Sequence, residues 1–329
     1  MSVTVLLRLS ALGDILLSEP VPRVLKEREP GRRIVYVTRE RFAAIPRGWP
    51  AVDQVLALPD RILGADLAAL RRQLKALGPQ RRIDLHNTLR SRRLWPCGAA
   101  RLPKHRLQKW ALVHGKALPA RWRPAWPGPV WRRYLALAGL PDAPPELRPR
   151  LVVQGQVLRH GECRHELLVP GAGFATKAWP AERWLELLPL LLARSESPVL
   201  VLGGHAERAL GERLAAVDPR RVTSLCGGTG LDETARLVAA ARRVVTGDTG
   251  LLHMADAAGV PGVALYGSTT RELGFFPIGG GLQVLECELP CRPCSHVGRT
   301  RCPLGHFACL AGIGAPEVLE LLLAPEAAC

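Results

Sequence analysis

Long apolar runs are missing from this 329-residue chain: the longest, Leu187 to Ala193, is broken by Pro189 and falls far short of the ~20 residues that span a bilayer. A transmembrane anchor is therefore excluded. Arg8 and Asp14 interrupt the N-terminal apolar stretch, so no secretory leader is expected and a cytoplasmic protein is. Asparagine is limited to Asn87 and lysine to six residues against 39 arginines, so part of the net charge of +16 reflects composition rather than a partner. Paired CxxC motifs are absent as well. Nine cysteines in a long chain without a leader argue against a disulfide framework, and Cys291-x2-Cys294-x7-Cys302-x6-Cys309 contains only one tight pair. Reduced cysteines in an ordered loop are expected there, ahead of a metal site. With 47% apolar and 22% charged residues the chain is globular, and its length suits two domains.

What is present is distributed unevenly. Residues 1–150 carry 29 basic and 11 acidic side chains, a net of +18, whereas 151–329 carry 16 and 18, a net of −2. Within 81–133 stand 14 basic residues and one acid, Asp84, interleaved with Trp95, Trp110, Trp122, Trp126 and Trp131 and followed by Tyr134. A segment of this kind suits an anionic glycolipid, an acidic membrane surface or nucleic acid, or else forms a solvated basic face.

Short apolar runs alternate with helical patterns throughout. Val3 to Leu7, Ile34 to Val37, Val52 to Leu58 and Ile83 to Leu85 read as strands, and Asp66 to Leu77 as a helix. The Pro-rich interval 141–149 reads as a linker, after which strands near 167, 199, 222, 244 and 263 alternate with helices over 181–193, 205–216, 231–241 and 250–258. The pattern predicts α/β architecture: domains 1–150 and 151–329, each a doubly wound parallel sheet, with ligands at the carboxyl ends of the strands and a cleft between the domains.

Four turns carry candidate chemistry. After the first strand, Leu12-Gly13-Asp14 places a carboxylate at a helix start, as a cap or as a proton acceptor. The small-residue loop Pro170-Gly-Ala-Gly-Phe-Ala-Thr176-Lys177-Ala-Trp179-Pro180 offers backbone amides, a hydroxyl and a cation to a phosphate, without Walker spacing. Gly247-Asp248-Thr249-Gly250-Leu-Leu-His253 starts a helix at a strand end, where free amides suit a diphosphate; Asp248 is a second candidate cap. Glu207, after Gly203-Gly204, stands where a ribose diol could donate to it, or is a solvated helix residue.

These motifs, with Gly259-Val-Pro261-Gly-Val-Ala-Leu-Tyr-Gly267, resemble the ADP-heptose:lipopolysaccharide heptosyltransferases of glycosyltransferase family 9. Cys302-Pro-Leu-Gly-His306-Phe-Ala-Cys309 looks closest to the heptosyltransferase II branch. The resemblance implies a GT-B fold of two Rossmann-like domains, with the last helix expected to pack back on the first. It implies inverting, metal- and cofactor-independent transfer from an ADP-sugar to a phosphorylated lipopolysaccharide core or similar glycolipid. Asp14 would be the general base; Thr176, Lys177, Thr249, Gly250 and His253 would hold the diphosphate, Asp248 the sugar and Glu207 the ribose. Asp84-Leu-His86-Asn87-Thr-Leu-Arg90-Ser91 resembles the acceptor-side segment, which puts His86, Asn87, Arg90, Arg92 and Arg93 on the acceptor. The implied setting is a monomer peripheral to the cytoplasmic face of the inner membrane, without nucleic acid. The alternative is a GT-B protein that has lost catalysis and binds anionic lipid or nucleic acid through its basic half. Ala178 and Asp256 depart from the usual family residues.

Overall fold

The computed structural model describes residues 2–116, 126–161 and 164–324, so Trp122 lies outside the described residues. The chain divides into two compact units, 1–105 with 127–158, and 106–126 with 159–329. In the first, β1 (Val3–Leu7), β2 (Arg33–Arg39), β3 (Gln54–Leu58), β4 (Arg81–Asp84) and β5 (Ala100–Arg101) form a wholly parallel sheet in the order β3-β2-β1-β4-β5. All five residues of β1 are buried, which is why it reads as a continuous apolar run without alternation. Leu7 pairs with Asp84, so the chain leaves β1 and β4 side by side. A hairpin of β6 (Leu151–Val153) and β7 (Gln156–Leu158) closes this unit through Gln154 and Gly155, both at positive φ as a tight two-residue turn requires.

The second unit holds β8 (His165–Val169), β9 (Val199–Val201), β10 (Val222–Ser224), β11 (Ala241–Gly247), β12 (Gly262–Tyr266) and β13 (Leu282–Glu286), parallel in the order β10-β9-β8-β11-β12-β13. The helix Ala181–Arg194 buries Trp184, Leu187, Leu188 and Leu191 against this sheet. Trp179 meets Trp184 edge-on with ring centroids 5.0 Å apart, so the tryptophan of the Lys177-Ala-Trp-Pro motif belongs to the core. The last described helix, Ala315–Leu323, contributes Val318, Leu319 and Leu322 to the same core. Its apolar stripe is satisfied by β11, β12 and the helix Ala181–Arg194. Among the described residues, no helix is long and apolar enough to cross a membrane.

Two tryptophans of the basic segment, Trp95 and Trp131, also belong to the core, and Trp126 is half-buried. Trp95, Trp131 and Tyr134 are buried, and among the described members only Trp110 is strongly exposed, at 58%. The reason is periodicity: in the helix Val130–Leu137, Val130, Trp131, Tyr134 and Leu135 share the inward face. Over the helix Val130–Leu137 the interleaving of aromatics with Arg therefore separates an inside from an outside.

At the edge of β11 and β12 the backbones leave no room for a side chain. Gly262 has φ +156°, and a Cβ there would stand 2.0 Å from the Val244 carbonyl oxygen. Gly262→Ala should cost about 4 kcal/mol or more, read as a lowered urea midpoint. An unchanged midpoint would show that this pairing is wrong.

Candidate active site

The order of strands decides which loops meet. In the first sheet the chain reverses direction between β1 and β4, and in the second between β8 and β11; such reversals leave a crevice beyond the carboxyl ends. Asp14 and the 84–93 segment occupy the first, and the 170–180 loop and residues 248–253 the second.

Asp14 is the third residue of the short helix Leu12–Leu16, not its cap, and its Oδ2 accepts from the Ala11 amide at 3.3 Å. Arg8 Nη2 pairs with Oδ2 at 2.6 Å and the Tyr134 hydroxyl donates to Oδ1 at 2.8 Å. Burial pushes the carboxyl upward, but Arg8, with the Tyr134 and Ala11 hydrogen bonds, outweighs it and holds Asp14 below the ordinary carboxylate range. It is ionised at neutral pH.

Asp84 organises the 84–91 segment and is fully buried. Its Oδ1 accepts from the amides of His86 (3.0 Å) and Asn87 (2.7 Å), and its Oδ2 from the Ser91 hydroxyl (2.7 Å). Asn87 has φ 49°, which explains an asparagine here: its short amide tolerates the left-handed region. That amide is engaged, donating to the Leu102 carbonyl and accepting from Arg92 Nε, so Asn87 shapes the turn and steadies Arg92. His86 is pushed down to about 3 by burial and by the Arg8 and Lys104 charges, against the opposing pull of Asp14. It is neutral and offers hydrogen bonds, not charge. Arg90, Arg92 and Arg93 are exposed on the helix Leu89–Leu94, which Thr88 caps. Arg39, at the end of β2, is lowered by burial and by the neighbouring charges of Arg41 and Arg90, against the opposing pull of Asp60.

In the second unit Lys177 and Asp248 come together: Nζ lies 2.6 Å from Oδ2, which also accepts from Thr269 Oγ1 at 2.7 Å. Asp248 is therefore engaged with Lys177, and Thr249 is the cap, accepting from the Leu252 amide on the helix Gly250–Ala258. Gly250 opens that helix, and His253 is buried one turn on, 6.4 Å from the Phe275 ring. Thr176 departs from the phosphate-donor expectation. Its hydroxyl donates to the Arg299 carbonyl and accepts the Arg299 amide, so it ties two loops together. Glu207 receives the Gly204 amide at 2.7 Å and lies so close to Gly171 and Gly203 that a Cβ at either would stand 2.8 Å from its side chain. It borders a cavity of about 390 Å³ with Pro170, Ala172, Ala178, Trp179 and Leu210. Asp256 accepts the amides of Ile278 and Gly279, which accounts for an acid at that helical position.

Cys291, Cys294, Cys302 and Cys309, with His306, line a separate cavity of about 230 Å³ and form no disulfide. Among the described residues, no group of three or more His, Cys, Asp or Glu is placed to hold a metal ion.

Residues 67–303 match the family model for glycosyltransferase family 9 (heptosyltransferase). The chain belongs to this family. It is a glycosyltransferase, and the family's members named as heptosyltransferases of both types are similar to it. Lipopolysaccharide heptosyltransferase 1 of Pseudomonas aeruginosa is 30% identical over 314 residues, 88% of this chain and 85% of that one. Lipopolysaccharide heptosyltransferase 2 of Salmonella typhimurium is 31% identical over 292 residues, 80% and 82%. The solved structure of Escherichia coli ADP-heptose lps heptosyltransferase II superposes with a TM-score of 0.73 over 97% of each chain at 22% identity, which establishes the GT-B fold.

Sequence reasoning missed Arg8, Tyr134, Thr269 and Arg299. Tyr134 lies 120 residues from Asp14, and only the packing of the helix Val130–Leu137 brings it there. In this family 9 member, Lys177→Ala should leave Asp248, 8% exposed, without its cation. A loss of about 3 kcal/mol is expected, measured by chemical denaturation at neutral pH; unchanged stability would show that the pair is not formed in solution.

Proposed function

We propose that the protein transfers heptose from ADP-heptose to a phosphorylated lipopolysaccharide core, with inversion and without a divalent metal. The observation that carries this reading is the placement of Lys177 and the start of the helix Gly250–Ala258 beside one another at the reversal between β8 and β11. A diphosphate needs its charge neutralised as it departs. Here a fixed ammonium and oriented amides supply that field, the task a divalent cation would otherwise perform. In this scheme Lys177, the Thr249 and Gly250 amides and His253 hold the diphosphate, and Glu207 takes the ribose diol. Asp248 orients Lys177 and reaches the sugar. Thr176 acts through Arg299 on the loop that carries Lys177. Asp14 accepts the proton of the attacking hydroxyl.

The acceptor is read from charge. Arg90, Arg92 and Arg93 stand exposed on one short helix, next to an Arg39 already burdened by like charge. A phosphate among them relieves that repulsion and engages guanidinium forks in a bidentate way. The basic excess of residues 1–150 then favours the anionic cytoplasmic face of the inner membrane, where a lipid-linked acceptor is held. We assign the protein as a monomer with no nucleic-acid partner.

A thermal-shift series in chelator should show stabilisation by ADP and ADP-heptose that exceeds that by UDP, GDP or CDP. Stabilisation only when magnesium is added would sink the metal-independent reading. Replacing Arg90, Arg92 and Arg93 together by glutamine should raise the acceptor KM at least about tenfold and flatten its salt dependence, with ADP affinity unaltered. A fall in ADP affinity with unchanged acceptor KM would reverse the assignment.

A further inference from the structure

The surroundings of Asp14 hold more organisation than a proton acceptor alone requires. Each carboxylate oxygen has two in-plane lone pairs. On Oδ2 both are engaged, by Arg8 Nη2 at 2.6 Å and by the Ala11 amide at 3.3 Å. On Oδ1 the Tyr134 hydroxyl takes one, at 2.8 Å. Arg8 is itself fixed, since its Nη1 donates to the Leu85 carbonyl at 2.6 Å and its guanidinium carbon lies 5.8 Å from the centre of the Tyr134 ring. Tyr134 is fully buried and cannot swing away. We propose that Arg8 and Tyr134 are positioning residues for the transfer, locking the Asp14 carboxylate so that Oδ1 alone presents an unengaged lone pair to the acceptor hydroxyl. The proposal deepens, and rests on, the reading of Asp14 as the base.

The chemistry follows from that lock. The acceptor O–H breaks as its oxygen bonds to the anomeric carbon, the bond from that carbon to the diphosphate breaks with its electron pair leaving on ADP, and the proton ends on Oδ1. A carboxylate held beside a guanidinium is a weak base, so the proton moves late, when the attacking oxygen is already bonding and its hydrogen has become acidic. Tyr134 keeps Oδ1 oriented meanwhile, and Arg8 prevents Asp14 from protonating before substrate arrives.

The titratable and charged groups facing Asp14 are Arg8, Arg133, Tyr134, Tyr36 and His86. His86 is neutral, and burial holds Tyr36 and Tyr134 protonated, so Arg8 and Arg133 supply the charge. Because the folded carboxyl lies below its ordinary value, the wild-type rate should stay level down to about pH 4. Removing the charge or the donor raises it and brings an acid limb into view.

The experiment is the pH profile of kcat from pH 4 to 8 for wild type, Tyr134→Phe, Arg8→Gln, Arg8→Lys and Asp14→Asn, with KM for ADP-heptose measured alongside. Arg8→Gln should move the acid limb up by about 1–3 pH units, and Tyr134→Phe by about one, with plateau kcat down about tenfold and donor KM unchanged. Arg8→Lys should restore the limb and only part of the plateau, because the charge returns without the fork. Should Arg8→Gln fail to fold, Tyr134→Phe keeps the ring and still decides. An inactive Asp14→Asn together with unmoved limbs in the other variants overturns the positioning role and leaves the base intact. Wild-type turnover by Asp14→Asn overturns the base and the positioning with it.

Discussion

Parallel pairing of β8 with β11, Val169 beside Thr246, is the constraint on which the donor-side residues depend. It sets the loop after β8 next to the helix after β11 and so carries Lys177 to Asp248, 71 residues away in sequence, at 2.6 Å. The pairing of β1 with β4 does the same for Asp14 and the segment held by Asp84. In both sheets the reversal of strand order leaves a place that no crossover helix can fill. Polar groups can gather there without displacing core, and the buried apolar strands beneath hold them in register.

Charge is handled differently in the two units. Beside β8 and β11 a single lysine is paired with a nearly buried aspartate, so its position is fixed and the cation needs no reorganisation. Beyond β2 and β4 arginines stand exposed, with Arg39 disfavoured by burial and by Arg41 and Arg90, against the pull of Asp60. Asp60, paired with Arg41 at 3.2 Å, offsets only part of that charge. The first design suits a ligand that must be oriented, the second a ligand that must be captured. Asp14 belongs with the first: Arg8 and Tyr134 determine both its ionisation and its direction.

Several side chains that look functional in one dimension have local work. Thr176 joins the Lys177 loop to Arg299, Asn87 occupies a left-handed turn, and Trp95, Trp131 and Trp179 pack inside. Each fixes local backbone through contacts within its own unit. The four cysteines around the 230 Å³ cavity form no disulfide and share it with Thr176 and Arg299.

Much was legible beforehand because it is local. Buried parallel strands are short and apolar, helices carry their 3.6-residue stripe, and a glycine turn after a strand announces itself; Val3–Leu7, Ala181–Arg194 and Gly250–Ala258 fall within a residue or two of their expected limits. The motifs around Asp14, Lys177 and Asp248 were visible for the same reason, and their order along the chain pointed to the family. β13, with its half-buried pattern, gave no comparable signal. What the amino-acid sequence determined by itself was therefore the elements, the family and the names of the candidate groups. Tertiary structure alone decided that Asp14 is gripped by Arg8 and Tyr134, that the Thr176 hydroxyl is already engaged, and which aromatics face inward, since each depends on contacts between residues far apart in the chain, and distance in space is set by sheet order and helix packing.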